Sequence, residues 1–143
     1  MNDGEATRPI ARWYMLGAIA ALLFMLLGCL VFWFDASADP STLPLDQRAA
    51  VTVRPFWLVM MNGIAVIAGA IGALLLVMKR RAAESFLLLS MIAVSVWLAG
   101  LLLVAPVRDA LSSNDLAVAV MVTIITWTIY GFARHSRQRG WLR

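Results

Sequence analysis

Four long apolar stretches, separated by short polar segments, make up most of this 143-residue chain. They cover residues 13–34, 55–78, 85–104 and 115–133. Residues 55–78 would form a helix of about 36 Å, enough to cross a hydrocarbon core of about 30 Å. Because lipid offers no partner for backbone N–H and C=O groups, each stretch must be helical. The pattern predicts an all-α membrane protein, a single domain built as an up-down-up-down bundle of four transmembrane helices.

The first stretch also resembles a secretory signal peptide. Arg8 and Arg12 precede it, and the small residues Ala36-Ser37-Ala38 follow it like a cleavage site. The apolar core of a signal peptide has about 7–15 residues, and residues 13–34 form a longer run. We therefore expect a retained helix rather than a cleaved signal.

The polar segments predict the connections. Residues 35–54 form an outer loop, in which Pro44 and Asp46 favour the first turn of a short surface helix. Pro106 is expected to end the third span, and Asn114 to cap the fourth. Residues 134–143 would then form a basic tail.

Composition and charge agree with a membrane protein. The chain is 62% hydrophobic and only 14% charged, whereas about a quarter of the residues of a soluble domain are charged. Nine Lys and Arg residues flank one side of the four stretches and three flank the other. The positive-inside rule predicts that both termini are cytoplasmic, in a bacterial inner membrane. Nucleic-acid binding is not expected, because the basic residues cluster at the membrane edges.

Residues that could carry catalysis are scarce. No Asp, Glu, Lys, Arg or His lies in the interior of a stretch, so the sequence lacks the groups on which proton relays and ion pumps depend. Cys29 is the only cysteine, and His135, the only histidine, lies in the basic tail. No metal-ligand spacing is present, so we expect no metal, no cofactor and no enzymatic activity.

Small residues recur at four-residue spacing in the first two stretches. Such rows let helix backbones approach closely in lipid. They could serve packing within the chain or a contact with another subunit. The residues are Gly17, Ala21, Ala65, Ala68, Gly69, Gly72 and Ala73.

Polar side chains in three of the stretches fall at one depth. Helical rise places Asn62, Thr123 and Ser95 about 10, 12 and 13 Å below the outer surface, and Thr126 shares a face with Thr123. The layer could be an outward-facing vestibule for a small neutral solute. We favour the other interpretation, in which these groups form hydrogen bonds between or within helices.

Basic residues and one tryptophan at the cytoplasmic edge match the chemistry of lipid headgroups. Arginine and lysine are attracted to anionic lipid, and tryptophan suits the headgroup level. We expect contacts with anionic headgroups from Lys79, Arg80, Arg81, Arg134, Arg137, Arg139 and Trp141.

An ordered set of short motifs spans the chain beyond its N-terminal tail. The motifs are Pro44-x-Asp46-Gln47-Arg48, Pro55-x-Trp57, Gly69-x-x-Gly72, Met78-Lys79-Arg80-Arg81, Ser90-x-Ile92-Ala93-Val94 and Gly140-Trp141-Leu142. In these the chain resembles a family of small four-span bacterial inner-membrane proteins often labelled sugar transporters. The resemblance implies a four-helix bundle. It also implies amides at Phe24-Met25 and near Trp97, which this chain lacks.

Two functions follow as hypotheses. The close-packing rows and the absence of ionisable groups favour a structural or accessory subunit that packs against a larger membrane assembly. The alternative is a transporter of a small neutral, sugar-like solute that works as an oligomer. The expected partners are therefore membrane lipids and either another membrane protein or further copies of the chain.

Overall fold

The computed structural model describes residues 12–143, so Arg8 lies outside the described residues. Six α-helices and one 3-10 turn follow in order. They are α1 (Arg12–Ser37), the 3-10 turn (Pro40–Thr42), α2 (Leu45–Thr52), α3 (Phe56–Val77), α4 (Ala82–Leu103), α5 (Ala105–Ala110) and α6 (Ser113–Gln138). The all-α prediction is confirmed, and α1, α3, α4 and α6 are long and apolar enough to cross a membrane. The chain is a multi-pass integral membrane protein.

The helix α1 ends at Ser37 rather than residue 34, α4 begins at Ala82 rather than residue 85, and both ends of α6 differ from the prediction. The fourth span continues to Gln138, because residues 134–138 include good helix formers and no Gly or Pro until Gly140. Its N-cap is Ser112 rather than Asn114: the Ser112 hydroxyl accepts from the backbone N–H of Asp115 at 3.2 Å. The Asp115 carboxylate in turn accepts from the Ser112 N–H at 3.3 Å. This reciprocal capping box fixes where α6 begins.

The loop after the third span contains a helix of its own. Pro106 lies in the first turn of α5, where the missing N–H has no cost. Val107 of α5 is 1% exposed and packs with Leu58, Leu101 and Ala119. The short helix therefore closes one end of α3, α4 and α6, which we call the outer end, and α2 packs beside it.

Helices α3 and α4 form the centre of the bundle, since α3 packs against both α1 and α4, and α4 also packs against α6. The small residues of α3 make this close approach possible. A Cβ added at Gly72 would lie 2.7 Å from Leu87 Cγ and 3.0 Å from the Leu87 backbone nitrogen. The buried small residues of α3 are Gly63, Ala65, Ala68, Gly69, Gly72 and Ala73.

The first helix uses its small residues in the same way. A Cβ at Gly17 would lie 3.0 Å from the Phe132 ring of α6, and Ala21 is 6% exposed. Both rows predicted from the sequence therefore serve contacts within the chain.

Candidate functional site

The hydroxyls of the predicted polar layer bond to their own helices. Ser95, Thr123 and Thr126 each donate to the carbonyl four residues earlier, at 2.7, 2.8 and 2.8 Å. Thr123 and Thr126 are buried. Backbone bonds of this kind satisfy a hydroxyl in lipid without a partner on another helix.

Two further hydrogen bonds in this region join helices. The Trp127 indole N–H of α6 donates to Ser95 Oγ of α4 at 3.0 Å. Ser90 of α4, which is 1% exposed, donates to the Ala65 carbonyl of α3 at 2.6 Å. Ser90 is not part of the predicted polar layer, although its spacing from Leu87 and Val94 places it on the buried side of α4.

Asn62 is the exception in the layer. Its amide is half-buried and makes no hydrogen bond within residues 12–143. Seven-residue spacing places it on the same stripe of α3 as Gly69 and Leu76, both of which are buried. The amide therefore faces the bundle at a level where the bundle covers it incompletely.

The layer is closed toward the end of the bundle at which α5 lies. Leu58 lies one turn outward from Asn62, and Ala119 one turn outward from Thr123. Both belong to the apolar cluster with Leu101 and Val107. An aqueous path from the outer surface to Asn62 would have to pass this cluster.

The helices α1 and α6 contact each other at the inner end of the bundle, opposite α5. Phe132 contacts Gly17, and seven residues outward Phe24 and Ile125 still pack against the core. Another seven residues outward, Val31 is 60% exposed and Val118 is 56% exposed. We call these two exposed positions, together with the half-buried Asn62, the outer seam.

An aromatic cluster holds the inner end together. The Tyr14 hydroxyl of α1 donates to the Leu76 carbonyl of α3 at 2.6 Å. The Tyr14 ring stacks on Phe132 of α6 with centroids 5.5 Å apart, and meets Trp141 edge-on at 5.6 Å. These contacts therefore join three chain segments that are distant in sequence, all at the inner end of the bundle.

The C-terminal segment folds back beneath the bundle. Gly140, with φ +73°, turns the chain after α6, and Trp141 and Leu142 are 8% and 2% exposed. The Arg143 N–H donates to the Lys79 carbonyl at 2.7 Å, and the Arg81 N–H donates to the Arg143 carbonyl at 3.0 Å. We call residues 139–143 in this position the C-terminal clasp.

The basic residues of the inner end have different surroundings. Arg137 forms an ion pair with Glu84 of α4. Lys79 is half-buried, whereas Arg80, Arg81, Arg134 and Arg139 are exposed. Trp141 differs from the expected headgroup anchor, because the turn at Gly140 places its ring in the aromatic cluster. His135 is exposed and meets the edge of Trp141 at 6.2 Å.

Comparison with family models, with curated proteins and with solved structures gives no match for this chain.

Proposed function

We propose that the protein is an accessory subunit without enzymatic activity of its own, which packs against a larger assembly in the bacterial inner membrane. The proposed orientation, with both termini cytoplasmic, follows from the charge asymmetry of the flanks. The observation that carries the proposal is Asn62, a half-buried amide without a partner in the described part of the chain, in the outer seam.

An unpaired amide at this depth is costly. Burying such a group without a hydrogen bond costs about 1–3 kcal/mol by mutational measures. Val31, Asn62 and Val118 each lie five or six residues from the outer ends of their helices, about 8–9 Å along the axis. A partner helix with a polar side chain at that depth would satisfy the amide and cover the seam. Amide hydrogen bonds between helices are a usual feature of membrane interfaces.

The remaining polar groups support packing. The hydroxyls of Ser95, Thr123 and Thr126 already donate to backbone carbonyls. Their hydrogen-bond donors are therefore not free to bind a solute. The apolar cluster around Leu58 and Val107 separates them from the outer surface.

The test is native purification in mild detergent of the wild type and of two substitutions at one site. Asn62→Gln keeps an amide, and Asn62→Leu removes it. We expect a fixed stoichiometric partner with the wild type, reduced recovery with Asn62→Gln and none with Asn62→Leu. Equal recovery with Asn62→Leu at an unchanged melting temperature would contradict the proposal.

The alternative proposal is an oligomeric transporter of a small neutral, sugar-like solute, in keeping with the resemblance noted above. Asn62 again favours it, because it is a free amide directed toward the bundle. This alternative predicts solute flux into liposomes that contain only the purified protein, and loss of that flux in Asn62→Leu. Absence of flux together with a stoichiometric partner would select the accessory subunit.

A further inference from the structure

We infer that the inner end of the bundle holds the phosphate of an anionic phospholipid, at a site built from residues 79–81 and the C-terminal clasp. The inference is independent of the accessory-subunit proposal. It concerns the opposite end of the molecule and requires no protein partner.

The first argument is the position of the backbone. The clasp inserts Arg143 between Lys79 and Arg81 through hydrogen bonds of 2.7 and 3.0 Å. Three cationic residues from two distant parts of the sequence are therefore held side by side. A free tail would have to lose conformational entropy to reach this arrangement, whereas the clasp provides it beforehand.

The second argument is the charge balance at this end. Within residues 12–143, Glu84 is the one acidic residue there, and Arg137 already pairs with it. The other cations form no ion pair among the described residues: Arg12, Lys79, Arg80, Arg81, Arg134, Arg139 and Arg143. Such a surplus of positive charge is complementary to a phosphodiester.

The third argument is an unused hydrogen-bond donor. Trp141 is 8% exposed, and its buried indole N–H has no acceptor in the described part of the chain. Buried indole N–H groups usually find a partner. Trp141 lies two residues before Arg143 on the same clasp, and its ring packs against Trp13 and Tyr14. A phosphate oxygen that reached this N–H would supply the missing acceptor.

The fourth argument distinguishes a lipid from a free anion. Helix α3 ends at Val77, and Met78, which directly precedes Lys79, is 54% exposed. The cationic residues therefore begin at the boundary of the apolar surface, where lipid phosphates lie and where acyl chains can cover the neighbouring side chains. Free phosphate would gain nothing from that apolar surface.

The experiment measures the melting temperature of the purified full chain in detergent with three additives: phosphatidylglycerol, phosphatidylcholine and inorganic phosphate. We expect phosphatidylglycerol to raise the melting temperature well above the effect of the other two. One basic residue contributes about fivefold in affinity to anionic lipid, so Arg143→Gln should require about fivefold more phosphatidylglycerol for the same shift.

Two variants complete the test. Trp141→Phe keeps the ring but removes the N–H, and should also weaken the response to phosphatidylglycerol. Arg108→Gln, at the opposite end of the bundle and 54% exposed, is the matched control and should respond like the wild type. Equal shifts with both lipids, an equal shift with inorganic phosphate, or an equal loss in Arg108→Gln would each overturn the inference. Arg143→Gln remains informative if Trp141→Phe fails to fold.

Discussion

The inner and outer halves of this bundle are closed by different means. At the inner end, the aromatic cluster and the C-terminal clasp join α1, α3 and α6 through buried contacts between Tyr14, Phe132 and Trp141. At the outer end, α5 covers α3, α4 and α6, but Val31 of α1 and Val118 of α6 remain exposed. We therefore expect the inner half to contribute most to stability and the outer half to provide the surface for a contact with another protein.

The largest effect should come from removing the ring at the centre of the inner cluster. Large-to-small changes at a buried Trp typically cost about 3–5 kcal/mol, so Trp141→Ala should strongly lower the melting temperature in detergent. Trp33, at the outer end of α1, is 69% exposed. Trp33→Ala should therefore cost far less, and an equal loss in both variants would contradict the comparison.

The second-largest loss of stability should come from overpacking the contact between α3 and α4. A side chain at Gly72 meets Leu87, including its backbone nitrogen, which cannot move as freely as a side chain. Overpacking typically costs about 1–3 kcal/mol, so Gly72→Leu should reduce unfolding free energy by that amount in a denaturant titration. Gly131, where an added Cβ meets nothing within 4 Å, gives the control Gly131→Leu with little change.

The hydrogen bond between Tyr14 and Leu76 allows the stability of the inner end to be tested by removing a single atom. Tyr14→Phe keeps the stacked ring and removes the hydroxyl that donates to the Leu76 carbonyl. The expected loss is about 1 kcal/mol, measured by the same titration. Tyr130, whose hydroxyl makes no hydrogen bond within residues 12–143, provides the control Tyr130→Phe, which should be nearly neutral.

The turn between α3 and α4 contains a residue in an unfavourable conformation. Lys79 has φ +59°, and the Arg80 N–H bonds to the Leu75 carbonyl at 2.9 Å, as at a helix end that favours glycine. Lys79→Gly should stabilise the chain by up to about 1 kcal/mol. Gly140→Ala, at the corresponding turn after α6, should destabilise it. Changes of the same sign in both variants would refute this explanation.

The smallest effect should be confined to the outer loop and to acidic pH. The Ser41 backbone N–H donates to the Asp39 carboxylate at 2.9 Å and lowers the pKa of that carboxyl. Because this pKa is lower in the folded chain, the cap stabilises the loop above the ordinary pKa of aspartate and is lost as pH falls below it. The protection of the Ser41 amide against hydrogen exchange, expressed relative to its intrinsic rate at each pH, should fall on acidification, and it should change less in Asp39→Asn. A parallel pH profile in that variant would argue against this cap.

The sequence predicted the four spans because an apolar run long enough to cross a bilayer has one structural solution. Local signals also predict α2, because Pro44 favours the start of a helix and Pro55 requires it to end before that residue. The spacing of Ser112 and Asp115 is that of a capping box, so the sequence contains the signal for this N-cap although the prediction named Asn114.

The clasp could not be predicted in this way. From its neighbours in the sequence, Trp141 is expected at the membrane interface. Its burial depends on the turn at Gly140 and on aromatic rings more than a hundred residues earlier in the chain. The exposure of Val31 and Val118 likewise depends on how the helices pack together, which no single helix encodes. Such features arise from tertiary packing rather than from local pattern.

The most direct test of the account is photo-cross-linking in native membranes. A photoreactive residue is placed at Val31 or at Val118, in the outer seam, and as a control at Leu74, which is 49% exposed on α3. The account predicts that both seam positions cross-link to one and the same protein, that Leu74 does not, and that Asn62→Leu abolishes the product. Cross-links only to lipid at Val31 and Val118, or a product that persists without the Asn62 amide, would contradict it.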